Sequence, residues 1–210
     1  MTLEHNMPSS CHNLPLHVTI LSDSMLKHLD LGFTDIHYVR GSDISMIVEM
    51  AEAHCKDTDL VIIKAGINNL LNGFSVANCM YEYKKAVLHI HKLYPSIHIA
   101  FMDVSYIAQD KFTGIDRSTE INVLVDELNY ALHELCVMCD KLHFSDLGGQ
   151  MNTNGNNKID RMNLAYDGLH YSKQGTAIVA YALIQAIESI QVGIVQCTKT
   201  DPIFFADSLI

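Results

Sequence analysis

Leu60-Val61-Ile62-Ile63-Lys64-Ala65-Gly66-Ile67-Asn68-Asn69 is the stretch whose reading decides the fold. Its first five residues form a nearly continuous apolar run, bounded by the polar residues 57–59 and by Ala65-Gly66. A strand with one wet face alternates apolar and polar residues; an unbroken run is expected of a strand covered on both faces, as in a parallel sheet flanked by helices. Upstream, His17-Val18-Thr19-Ile20-Leu21 is β-branched and leads through Ser22-Asp23-Ser24 into Met25-Leu26-Lys27-His28-Leu29, which reads as strand, tight turn and helix start. Ile36-His37-Tyr38-Val39 repeats the pattern, ending at Arg40-Gly41-Ser42-Asp43 before a helix over 44–55 with Ser42 or Asp43 as its cap.

Downstream, a helix over 81–93 is stopped by Pro95, and Ile97-His98-Ile99-Ala100-Phe101-Met102 supplies a fourth strand. A polar loop over 103–119 precedes a helix over 120–139, whose Ile121, Leu124, Leu128, Leu132 and Leu135 recur at three- and four-residue spacing. Leu142-His143-Phe144 is a fifth strand candidate. A Gly- and Asn-rich loop over 145–165, too long for a minimal connection, reads as bordering a site. An amphipathic helix over 172–190 closes the domain. The division expected is a polar tail at 1–15, one domain at 16–191 and a tail at 192–210, in which Ile203, Phe204 and Phe205 are apolar enough to pack back. Strands alternating with helices predict an α/β fold, a three-layer α/β/α sandwich built on right-handed crossovers around a parallel sheet.

Composition narrows the function classes. The 210 residues, 49% of them hydrophobic, suffice for one domain with a sizeable core. A formal net charge of -10 argues against electrostatic binding to nucleic acid or an anionic membrane, since both depend on Lys and Arg. Residues 1–14 do not read as a signal peptide and no stretch offers about eighteen uninterrupted apolar residues, so a cytoplasmic protein without a membrane span is expected. The six cysteines (Cys11, Cys55, Cys79, Cys136, Cys139 and Cys197) fall in segments that mostly look helical or buried, which suits reduced thiols. Cys136-Val137-Met138-Cys139 lacks a second pair at ligand spacing and reads as core packing; His89 and His91, two apart on a helix, point to different faces. Neither points to a metal.

In a parallel sheet every loop that follows a strand emerges at the same edge, where open α/β folds bind their ligands. Ser24, Gly41, Asn68 and the stretch Asp167-Gly168-Leu169-His170 all follow predicted strands, so they gather there. Ser24 suits a nucleophile, His170 its general base and Asp167 the carboxylate that orients the base. The backbone N–H groups of Ser24 and Gly41 and the Asn68 amide suit donors to an oxyanion, and Asp23 suits support of the turn. Singly each is ordinary: Ser24 could be an N-cap, Asp167 a turn residue, Asn68 a loop amide. Tyr81, Tyr83, Tyr166 and Tyr171 read as packing or rim residues. No Gly-rich phosphate loop follows the first strand, which argues against a nucleotide-binding domain.

Ser22-Asp23-Ser24 with Leu26, Gly41, Gly66-Ile67-Asn68-Asn69 and Asp167-Gly168-Leu169-His170 together resemble the four blocks of the SGNH hydrolases, or GDSL-type esterases and lipases, over about 18–190. The resemblance implies a flavodoxin-like α/β/α fold with a five-stranded parallel sheet. It also implies metal-independent, cofactor-free hydrolysis of an ester, commonly acetyl or another short acyl group on a sugar, lipid or small alcohol. By position it makes Ser24, His170 and Asp167 the triad and Ser24, Gly41 and Asn68 the oxyanion hole. Ser22 stands where the family usually has glycine, and Asn69 where aspartate is usual. Those departures leave open a binding or scaffold module of the same fold without turnover, including one in an RNA-associated or retroelement-encoded protein.

Overall fold

The computed structural model describes residues 16–109, 116–147, 151 and 159–197. Residues 1–15 with Cys11, the tail from 198 with Ile203, Phe204 and Phe205, and parts of both long loops lie outside the described residues. Five strands, β1 (Val18–Ser22), β2 (Asp35–Tyr38), β3 (Leu60–Lys64), β4 (His98–Met102) and β5 (Leu142–Ser145), pair in parallel in the order β2-β1-β3-β4-β5. All five residues of β1 and of β3 are buried, as the unbroken apolar run required. β3 is central, and chain order reverses between β1 and β3. That is the switch point at which such sheets open a crevice.

Among the described residues, five helices flank the sheet: α1 (Met46–His54), α2 (Ile67–Leu71), α3 (Val76–Leu93), α4 (Ser118–Val137) and α5 (Lys173–Cys197). α1 packs against α3 and α3 against α4 on one face of the sheet. The right-handed β1–β2 crossover lies on the other face, where Leu29 and the α5 residues Ala177 and Ala180 wall one surface cavity. The core runs through Ile20, Leu21, Ile62, Ile63, Ala100 and Phe101 in the sheet, with Ile47, Val87, Leu128 and Leu183 from the helices.

Several boundaries differ from the expected ones. α3 begins five residues before 81, because the Ser75 hydroxyl accepts from the Asn78 N–H at 3.2 Å and caps an earlier start. α1 begins at Met46 instead of 44, with Asp43 Oδ1 accepting from the N–H groups of Ser45 and Met46. α2 was expected as loop; five residues carry too little periodicity to be recognised. On α4 the buried side chain is that of Val125, while Leu124 is only half-buried. α5 continues past 190 to Cys197, and over Lys173–Ile194 it is apolar and long enough to cross a membrane by length and composition. The uninterrupted-run criterion missed this because Gln185, Glu188 and Gln191 interrupt the segment. Its Val179, Leu183 and Ile187 are buried against the body, and it packs on the Arg161–Asn163 turn and on β5.

Candidate active site at the carboxyl edge of the sheet

Ser24 opens a 3-10 turn, Ser24–Leu26, directly after β1. Asp23 caps that turn, its Oδ1 accepting from the Met25 N–H at 2.9 Å, while its own N–H donates to the Lys64 carbonyl at 3.1 Å. Ser22 does not occupy a glycine-like turn. It closes β1 as an extended residue paired with Tyr38 and Lys64, so its Cβ is tolerated; the cost is a buried hydroxyl with no partner among the described residues.

The Ser24 and His170 side chains, 146 residues apart in sequence, meet with Oγ 2.9 Å from Nε2. His170 Nδ1 lies 2.7 Å from Asp167 Oδ2. Asp167 Oδ1 accepts from the N–H groups of Leu169 and His170 at 3.0 Å each. Partial burial would raise the Asp167 carboxyl, but these hydrogen bonds outweigh it and hold the group below the ordinary carboxylate range. An ionised carboxylate only accepts, so Nδ1 carries the imidazole proton and Nε2 presents a lone pair to the Ser24 hydroxyl. Asp167 and His170, three residues apart, are brought together by their own turn.

That turn is clamped at its base. Leu164 bridges Tyr171 in antiparallel fashion, the Ser172 hydroxyl donates to the Met162 carbonyl at 2.7 Å, and the Ala108 N–H donates to the Gly168 carbonyl at 2.8 Å.

Asn68 stands on the first turn of α2. Its Nδ2 donates to the Ser42 carbonyl at 2.9 Å, which leaves the second amide hydrogen unspent by that bond. Gly66, with φ at 109°, takes the left-handed turn from β3 into α2; a Cβ there would stand 3.1 Å from Val104 Cγ2 and 3.2 Å from the Tyr83 hydroxyl. Asn69 Oδ1 accepts from the Ile44 N–H at 3.0 Å, a task a carboxylate oxygen would do equally well. Exchanging acid for amide at position 69 therefore keeps the acceptor and leaves a buried Nδ2 without a partner among the described residues. Gly41 follows β2, exposed, one residue before Ser42. Among the described residues no hydrogen bond joins it to Ser24 or Asn68.

Sequence reasoning missed a set of buried polar residues around these. Lys64 ends the apolar run of β3 yet is 2% exposed, with Nζ donating to the Asp103 carbonyl and, at 2.8 Å, to Ser105 Oγ. The Ser105 hydroxyl is hydrogen-bonded to the Tyr171 hydroxyl. Tyr171 is thus a buried, bonded residue and not a rim residue; Tyr83 packs in the core with its hydroxyl on the Ala65 carbonyl at 2.8 Å, while Tyr81 and Tyr166 are exposed. Asn129 and Asn122, seven residues apart on α4, each bind both backbone groups of one residue, Val104 and Ile107 respectively, and so shape the loop after β4. The only sequence signal for them was a polar residue at core spacing on a helix.

Burial dominates at Asp23 and pushes its carboxyl up to about 6, against the opposing pull of the Met25 N–H, Lys64 and His170. Cys55, Cys79, Cys136 and Cys139 are free thiols; burial raises Cys136 to about 12, which makes it inert. Among the described residues no three His, Cys, Asp or Glu side chains converge as metal ligands.

A parallel sheet of this order, covered by helices and carrying these strand-end loops, is the fold of the SGNH hydrolases, and the chain has that fold. A GDSL-like lipase from Bacteroides thetaiotaomicron superposes with a TM-score of 0.65 at 17% identity, over 83% of this chain and 88% of its own. A family 3 carbohydrate esterase from Talaromyces cellulolyticus gives 0.66 at 12% identity, over 86% and 99%; the lipase/acylhydrolase from Enterococcus faecalis gives 0.57 at 19%, over 83% and 97%. No family model and no curated protein matches the sequence.

Proposed function

We propose that the protein is a serine esterase that hydrolyses short-chain, chiefly acetyl, esters without a metal or cofactor. The observation that carries this reading is the continuous contact from Ser24 Oγ to His170 Nε2 and from His170 Nδ1 to Asp167 Oδ2. In the proposed reaction the Ser24 oxygen attacks the ester carbonyl carbon while His170 takes the hydroxyl proton, and Asp167 steadies the imidazolium. Negative charge on the carbonyl oxygen is met by the free amide hydrogen of Asn68 and the N–H groups of Ser24 and Gly41. The carbon–oxygen bond to the alcohol breaks, and His170 returns the proton to the leaving alkoxide. Water, deprotonated by His170, then attacks the acyl-serine, releasing the carboxylic acid and restoring the hydroxyl. Similarity to esterases and acylhydrolases supports a small-molecule, carbohydrate or lipid ester as substrate. The free thiols support a cytoplasmic location, which fractionation of the tagged full chain would check.

The test compares hydrolysis of p-nitrophenyl acetate by the wild type and Ser24→Ala at neutral pH with a chelator present. Turnover that survives the chelator and disappears in Ser24→Ala is expected. Equal, slow rates in both proteins would reduce the activity to cleavage by surface histidines and leave the binding-module reading.

A further inference from the structure

A lysine at the end of a fully buried strand needs an explanation, because desolvating an ammonium is costly and an apolar side chain of similar volume would fill the same space. Lys64 spends its donors on the Asp103 carbonyl and on Ser105 Oγ at 2.8 Å, with Asp103 Oδ1 3.9 Å away. The Ser105 oxygen that accepts from the ammonium is also hydrogen-bonded to the Tyr171 hydroxyl, so the three polar groups form one chain. Tyr171 is the residue after His170, and its backbone forms the bridge to Leu164 that closes the base of the histidine turn. Within the turn Gly168 and Leu169 are buried, while Tyr166 at its tip is 89% exposed. Lys64 thus joins the β3 end, the loop after β4 and the segment that carries His170.

We propose that Lys64 is a positioning residue for His170, acting through Ser105 and Tyr171 to hold the imidazole at hydrogen-bond distance from Ser24. This rests on the hydrolytic reading of that site. The chain orients and never touches substrate: without it the turn loses one of its anchors, the Asp167–His170 pair is held less firmly, and Nε2 spends less time facing Ser24.

The experiment uses the full chain with Lys64→Met, Tyr171→Phe and the double variant. Each single change should lower kcat on p-nitrophenyl acetate by about tenfold or more with KM unchanged, and the double should fall no further than the worse single, because one chain is cut twice. A second readout does not need turnover: the downfield Nδ1–H proton resonance of His170, identified by its loss in His170→Gln, should broaden or vanish in both singles. A folded Lys64→Met that keeps wild-type kcat and the resonance would overturn the proposal. So would a fall in kcat with the resonance intact, which would locate the lysine's effect elsewhere. Should Lys64→Met not fold, Tyr171→Phe, which removes one oxygen, decides. If the wild type shows no Ser24-dependent hydrolysis, the esterase reading fails by itself and the resonance still tests positioning.

Discussion

Asn68 has two amide hydrogens and spends one on the Ser42 carbonyl, so its side chain is held in place by the same group that leaves its other hydrogen available. Removing a preorganised donor of this kind typically costs a hundredfold or more. Asn68→Ala should therefore lower kcat by about that factor with the fold unchanged; hydrolysis at the wild-type rate would remove Asn68 from the oxyanion hole. Asp23 is a different case, for its carboxyl titrates at about 6 in the folded chain, against 3.8 as the ordinary value. Between those two pH values the native state binds the proton that the unfolded chain has released, so stability falls as pH rises from about 4 to about 6 and stays reduced above. The expected size is roughly 2–3 kcal/mol. Asp23→Asn should remove that slope; urea unfolding of both proteins at pH 4 and pH 7 measures it, and a difference that does not change with pH would show that Asp23 titrates ordinarily in the fold.

At the scale of elements, the histidine turn depends on how α5 docks. A Cβ on Gly175, in the first turns of α5, would stand 2.0 Å from the Asn163 carbonyl oxygen, and that backbone cannot yield without moving the Arg161–Asn163 turn. The same carbonyl accepts from the Ser172 N–H at 2.9 Å. Gly175→Ala should push α5 off this turn, lower the melting temperature and cut esterase activity, whereas Ala177→Ser, on an exposed position of the same helix, should do neither. Thermal melting and p-nitrophenyl acetate turnover check both. Neither the contact nor the clamp on the loop after β4 by Asn122 and Asn129 could be read from sequence, because each joins segments whose relative distance is set by packing.

For the whole molecule, a net charge of -10 leaves little cation to neutralise phosphate, so binding to a 20-mer single-stranded RNA should be undetectable by fluorescence anisotropy at physiological salt. Saturable binding that weakens with added salt would favour the RNA-associated reading. The positions of β1, β3 and β4, and the meeting of Ser24, Asp167 and His170, were legible in the sequence itself: an apolar run without alternation specifies a strand covered on both faces, and parallel strands send their following loops to one edge. The five-residue helix α2 left no periodic trace, and its existence was decided by the left-handed turn at Gly66. Tertiary structure alone decided that Lys64 is a buried cation and not the solvated end of a strand, and that Tyr171 is its distant partner through Ser105. A side chain's identity states what it can bond to, but burial and partner are properties of distance, and distance between segments exists only once the chain has packed.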